Sequence, residues 1–173
     1  EMYLYAAQPN HILPTFNDCN PNPIDPAPIL RFAAEVFDRD DLRWGGSYGR
    51  DGQPPGDASH AWPSAGYYVM RDKWGEDGQY LFFDGAPWGA SHQHEDKLNF
   101  SLYAQGRPLI IDPNIYSYSP TEITHYFKSS RSHNLVMIDG MGQARRFLGA
   151  QAWLSTRGRN EWVSQPRFDF VSS

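Results

Sequence analysis

The sequence predicts a mainly β protein, an antiparallel β-sandwich preceded by helix, and three observations carry that prediction. Beyond Ala65, short apolar and aromatic runs follow one another with turn residues between most of them. No helical pattern interrupts them, which argues against parallel crossovers. Ahead of them the composition changes character once, across a stretch dense in glycine and proline.

Taken in order, MYLYAAQ in residues 1–8 reads as the end of a helix. Residues 9–28 contain Pro9, Pro14, Pro21, Pro23, Pro26 and Pro28, and rings that donate no amide hydrogen exclude a helix interior or a central strand. In APILRFAAEVFD, residues 27–38, the apolar Ile29, Leu30, Ala33, Ala34, Val36 and Phe37 recur at helical spacing, with Arg31, Glu35 and Asp38 between them. RWGGSYGRDGQPPGDASHAWPS then reads as a loop joining a helical part to a sheet part. The strands expected after it are GYYVMR, QYLFFD, KLNFSLYA, PLIID, HNLVMID and AQAWLST. AQGRP should fold one pair into a hairpin, and DGMGQ should close another.

With 173 residues, 40% hydrophobic and 15% aromatic, the chain can bury one core. A net charge of −5 gives no reason to expect general nucleic-acid affinity. The charge is uneven, however: residues 125–173 hold seven Lys/Arg against three Asp/Glu, a surplus that suits an anionic ligand as well as a solvated sheet face. Cys19 is the single cysteine, so no intrachain disulfide forms. No apolar run reaches membrane-spanning length, and no charged-then-apolar signal segment opens the chain. Glu1 stands inside a helix-like run and RFDFVSS inside a strand-like one, so the chain is expected to be a piece of a larger protein.

The chemistry concentrates in GASHQHEDKLNFSLYAQGRPLIIDPN. If the strand through Leu98, Phe100 and Leu102 extends backward, His92, His94 and Asp96 share its apolar face by period-two alternation; GASHQHED could equally be a loop. Buried imidazoles are costly unless hydrogen-bonded, paired or metal-bound. A His-x-His pair with a downstream carboxylate and a third histidine can hold zinc, and Asp112 and His133 stand where adjacent strands could deliver them. The same pair could be merely hydrogen-bonded. His11, His60 and His125 read as loop or surface histidines.

That run, followed by YFKSSRSHNLVMIDG, resembles the heparinase II/III family of polysaccharide lyases, which includes alginate and oligoalginate lyases. The shared pattern is Gly-x-x-His-x-His-x-Asp, a Gly-containing hairpin, Asp-Pro, an aromatic segment and Arg-x-His-Asn, spread over residues 62–143. The resemblance implies the last helices of an α/α toroid and a linker in residues 1–50, and the first part of a β-sandwich domain in 51–173. It also implies zinc on His94, Asp112 and His133, with His92 in the catalytic cleft beside the substrate carboxylate. The implied reaction is β-elimination across a 4-linked uronic acid of an anionic polysaccharide or oligosaccharide, outside the cytoplasm in the periplasm or as a secreted protein. Neither nucleic acid nor membrane is an expected partner. The family's other catalytic Asn, His and Tyr residues belong to the toroid, so the chain alone is expected to be inactive.

Tyr116, Tyr118 and Tyr126 lie between two of the implied ligands and are candidates for substrate stacking or proton transfer, or for simple aromatic packing. Arg131 could meet a carboxylate bidentately or pair within the sheet. Asp96 is expected to orient a ligand. Ser91 and Asn114 depart from glycines common in the family; asparagine tolerates the left-handed backbone, so the second change spares the turn. Two other readings compete. His94, Asp96 and His133, with Arg145 or Arg146 beyond, imitate the facial triad of iron oxygenases; closure on Asp96, with Asp112 pointing away, would take from the lyase its main support. A zinc-stabilised carbohydrate-binding sandwich without catalysis is the other.

Overall fold

The computed structural model describes residues 1–19, 22–87, 91–143 and 160–173. Helix α1 (Met2–Ala6) turns Leu4, Tyr5 and Ala6 inward. The described part of the proline-rich stretch after it is irregular, held locally by Leu13 N–H on the Ile24 carbonyl at 3.0 Å. Helix α2 (Ala27–Phe37) starts on Pro26, with the Ala27 N–H donated to Asp25 Oδ1 at 2.8 Å. It ends at Asp38, left-handed at φ 48°. Helix α3 (Asp40–Gly46) runs into what the sequence suggested was loop from Arg43 on; Asp40 and Asp41 occupy its first turn, where the helix dipole favours negative charge. Gly45 lets it approach α1, since a Cβ there would stand 2.6 Å from a Leu4 methyl.

Strands β1 (His60–Trp62), β2 (Tyr67–Arg71), β3 (Tyr80–Asp84), β4 (Asn99–Ala104) and β5 (Arg107–Ile110) form one five-stranded antiparallel sheet in chain order. Gln105 and Gly106, with φ 55° and 73°, make the two-residue turn between β4 and β5, as the AQGRP motif predicted. Strands β6 (Glu161–Gln165) and β7 (Phe168–Ser172) pair as a second, separate hairpin. The expected mainly β, antiparallel fold is therefore what forms.

One face of the sheet carries the core: Val69, Tyr80, Phe82 and Tyr103 enclose Ala6 of α1. A second cluster, Leu4, Leu30, Ala34 and Leu42, joins the helices. Leu4 and Ala6 thus place α1 in both. Arg71 fixes that junction. Its Nη2 donates to the Tyr5 and Ala7 carbonyls at 3.1 and 2.6 Å, and its guanidinium lies over the rings of Trp74 and Tyr80. Burial pulls its pKa down to about 10, still well above neutrality, so the group stays charged. On the opposite face Tyr68 meets Trp162 of β6 with ring centroids 5.5 Å apart, and Ser59 Oγ donates to Asp169 of β7, so the hairpin forms part of a second layer.

Three expectations differ from what forms. Strand β4 does not extend back to the histidines: His92 and Leu98 are left-handed at φ 57° and 74°, which no strand accommodates, and residues 91–98 form a loop. The face assignment of β4 is reversed as well. Asn99, Ser101 and Tyr103 are buried, while Phe100 and Leu102 point to the half-exposed side. The inward polar atoms are satisfied by specific bonds, which alternation cannot reveal. Finally, HNLVMID is not a strand beyond an isolated Ile138–Met141 bridge closed by Asp139 and Gly140, at φ 53° and 68°. Its Asn134 side-chain amide, rather than a backbone ladder, donates to the Phe100 and Ile111 carbonyls. AQAWLST lies outside the described residues.

Candidate metal centre and cleft edge

The loop bearing the histidines is pinned from below by helix α4 (Glu122–Phe127) and the short 3-10 turn after it. Glu95 N–H donates to the Lys128 carbonyl at 3.0 Å, and Ser130 Oγ donates to the Glu95 carbonyl at 2.6 Å. These bonds turn His94 inward and leave His92 at the rim. Their side chains are 0% and 68% exposed respectively.

His94 and His133 meet with ring centroids 5.2 Å apart. Together with Asp96 they bring one ligating atom each within 4.8 Å of one another, all buried. Each ring is held from behind by a carboxylate. His94 Nε2 lies 2.9 Å from Asp18 Oδ1, and His133 Nδ1 lies 2.7 Å from Asp112 Oδ2. A carboxylate accepts, so those nitrogens carry the protons. The opposite nitrogens, Nδ1 of His94 and Nε2 of His133, are buried with no hydrogen-bond partner among the described residues, their lone pairs available to a cation. Burial lowers the pKa of His94 against the pull of Asp18, which keeps the imidazole in the neutral form a metal requires. Two orphaned imidazole nitrogens beside a carboxylate fit a divalent ion such as zinc.

Asp112, the carboxylate singled out in the sequence as a ligand, stands behind His133 instead. Its Oδ2 accepts from Asn99 Nδ2 at 2.5 Å as well as from His133, and its Oδ1 accepts from the Asn114 N–H at 2.7 Å. Asp96 occupies the place beside the two imidazoles. The two acids thus stand in each other's expected places, and Leu98, left-handed at φ 74°, lies between Asp96 and the start of β4. Asn114 is itself left-handed at φ 65°, so the turn after Asp112 needs no glycine.

Asp18 was not foreseen. It comes from the proline-rich loop with its side chain 3% exposed, and it accepts from His94 through Oδ1 and from His92 Nδ1 through Oδ2 at 3.0 Å. Lys128 Nζ stands 3.3 Å from the same Oδ1. Burial pushes the Asp18 carboxyl up, but His94, His92 and Lys128 together hold it below the ordinary carboxylate range. Next to it, Tyr118 presents a ring edge-on to His92 with centroids 6.3 Å apart, and Lys128 lies over that ring. Burial and then the Asp18 charge raise the Tyr118 pKa, opposite to what a tyrosine acting as base needs. Tyr116 stacks on Phe127, Tyr126 meets the same ring edge-on, and both remain exposed. Arg131 is exposed and makes no ion pair among the described residues. His11 and His60 pack against Tyr48 and Tyr5, and His125 lies on α4, all outside the cluster. Arg145 and Arg146 lie outside the described residues.

Fold and site define a class: a β-sandwich-type domain with a buried two-histidine, one-carboxylate cluster under an exposed aromatic rim. Residues 54–161 match the family model of the heparinase II/III-like, C-terminal domain, and the chain belongs to that family. A heparin-sulfate lyase of Pedobacter heparinus is 25% identical over 129 residues, covering 72% of this chain and 18% of that protein. Among solved structures, a heparan sulfate lyase HepC mutant from Pedobacter heparinus superposes with TM-score 0.78 at 21% identity, over 97% of this chain and 26% of that one. A heparinase III gives TM-score 0.71 at 23% identity over 80% of this chain and 23% of that one. At these identities the structural likeness establishes the fold. The chain spans about a fifth of the length of the curated relative it matches.

Proposed function

We propose that this chain forms the metal-braced wall of the active cleft in a polysaccharide lyase that cleaves a uronic-acid-containing glycan by β-elimination. The carrying observation is that the family match runs across every residue of the cluster and its rim except Asp18. The ligand set does not by itself favour a lyase, since closure on Asp96 is equally the donor set of an iron oxygenase. Family membership supports the lyase.

In the proposed reaction a base removes the C5 proton beside the uronate carboxylate, the C–H electrons form the C4–C5 double bond, the C4–O bond breaks, and the departing oxygen takes up a proton. Charge accumulates on the carboxylate, so donors aimed at it lower the barrier. His92 occupies the rim where such a carboxylate would lie, with Lys128 close by as a fixed cation. Tyr116, Tyr118 and Tyr126 offer ring faces to the sugars, and Arg131 a fork for a second acidic group. His94, His133 and Asp96 would hold zinc, with Asp18 and Asp112 fixing the two imidazoles. Zinc, when bound, supplies a stationary positive charge and a cross-link between the loops that build the wall. A polymeric substrate of this kind places the protein in the periplasm or outside the cell.

The test is to express the full protein that carries this chain and to screen uronic polysaccharides for the ultraviolet absorbance of the unsaturated product. Binding of a uronic polymer without product would make the domain a zinc-stabilised carbohydrate-binding module. Iron in the purified protein with oxygen-dependent turnover would establish the oxygenase.

A further inference from the structure

We propose that Asp18 is the positioning residue joining the metal cluster to the cleft: one carboxylate oxygen holds His94, the other holds His92, and Nε2 of His92 is thereby the nitrogen offered to substrate. The word substrate rests on the lyase reading; the contacts do not.

A carboxylate as buried as that of Asp18 is costly unless paired, and here each oxygen has a histidine partner at 2.9 or 3.0 Å. Asp18 is also aimed rather than merely accommodated. The preceding Asn17 is left-handed at φ 56°, and its Oδ1 accepts from the His94 backbone N–H at 3.1 Å, so the loop grips residue 94 through both main chain and ring. One rigid carboxylate plane therefore sets two rings at once. On the inner side it leaves Nδ1 of His94 turned toward His133 and Asp96. On the outer side it accepts from His92 Nδ1–H, which leaves Nε2 as the lone-pair nitrogen of a ring that Tyr118 meets edge-on. A neutral histidine in that tautomer is ready to accept a proton or a hydrogen bond without first reorganising. Lys128 Nζ approaches Oδ1, the oxygen that also meets His94, while Oδ2 faces His92 and Tyr118 adds a side-chain hydrogen bond to the same carboxylate.

The experiment uses the 173-residue chain labelled with nitrogen-15, free of metal and loaded with zinc. Long-range proton–nitrogen spectra report the tautomer of His92, and competition with a chromophoric chelator reports zinc affinity. The wild type should show His92 protonated at Nδ1 and bare at Nε2. Asp18→Asn should weaken zinc binding by about 10- to 100-fold, as loss of a carboxylate behind a ligating histidine does, and should release His92 toward the Nε2-protonated form. Asp18→Glu should restore part of both, whereas His92→Ala should leave zinc affinity unchanged. A wild-type His92 protonated at Nε2, or an Asp18→Asn chain with unaltered zinc affinity and tautomer, would overturn the proposal. The wild-type tautomer needs no substitution, so the test survives a variant that fails to fold. A chain that behaves as expected, carried by a full protein that yields no unsaturated product from any uronic polysaccharide, would support the role of Asp18 and sink the lyase reading instead.

Discussion

His94 and His133 each give one ring nitrogen to a carboxylate and keep the other for the buried centre, whereas His92 spends its Nδ1 on Asp18 and faces outward. Substitution should separate these duties. His94→Ala should strip zinc and cost about 3 kcal/mol, because Asp18 would be left buried without its inner partner. His92→Ala, at a mostly exposed position, should change stability by less than about 0.5 kcal/mol while abolishing most turnover in the full-length enzyme. Metal analysis and thermal melts on the two variants decide it, and equal zinc loss in both would make His92 a ligand. The residue types and order of this site were legible in the sequence, since His-x-His, Asp-Pro and Arg-x-His-Asn carry their own spacing. Asp18 was not, because an acid in a proline-rich loop obeys no period. Nor could spacing decide between Asp96 and Asp112, since the loop of residues 91–98 follows no strand period.

Period-two alternation located β2, β3, β4, β5 and β7 within a residue or two, and helical spacing located α2. It failed where side chains compete with the backbone. Asn99 is fully buried because it serves Asp112 and the Asn134 N–H, and this inverts the reading of β4. Its displaced Phe100, with Phe83, Leu98, Ile110 and Val136, lines an open groove of about 720 Å³ on the face opposite the core. Helices α3 and α4 escaped notice because each is a turn or two long, too short to display a face. Between elements, Arg71 ties α1 to the sheet through two backbone carbonyls and two rings. Arg71→Ala should cost about 3–5 kcal/mol, the range for breaking a buried charged contact. Arg71→Lys should recover only part, since an ammonium cannot reach both carbonyls in one plane. Urea unfolding monitored by tryptophan fluorescence measures both, and an Arg71→Lys variant as stable as wild type would show that charge alone suffices.

Across the whole molecule, the cluster draws together the proline-rich loop, the histidine loop, the end of β5 and the turn after α4. A ligand bound only by the folded state stabilises it by mass action, by about 2.7 kcal/mol at a hundredfold excess over Kd. For a chain of this size that is a rise of roughly 5–10 °C in Tm. Zinc should produce such a rise, a chelator should reverse it, and the His94→Ala chain should show neither. The Asp18–His94 contact has a further consequence, because its partners are 76 residues apart in the chain. Such a distant pairing closes only after the sheet between its ends has formed, so the site is completed on the native side of the folding barrier. Zinc should then leave the refolding rate nearly unchanged and slow escape from the native state instead. In stopped-flow chevrons the unfolding limb should fall with zinc while the folding limb stays in place; movement of the folding limb would mean that these loops meet early. The centre would then act on how long the protein lasts once folded rather than on how quickly it gets there.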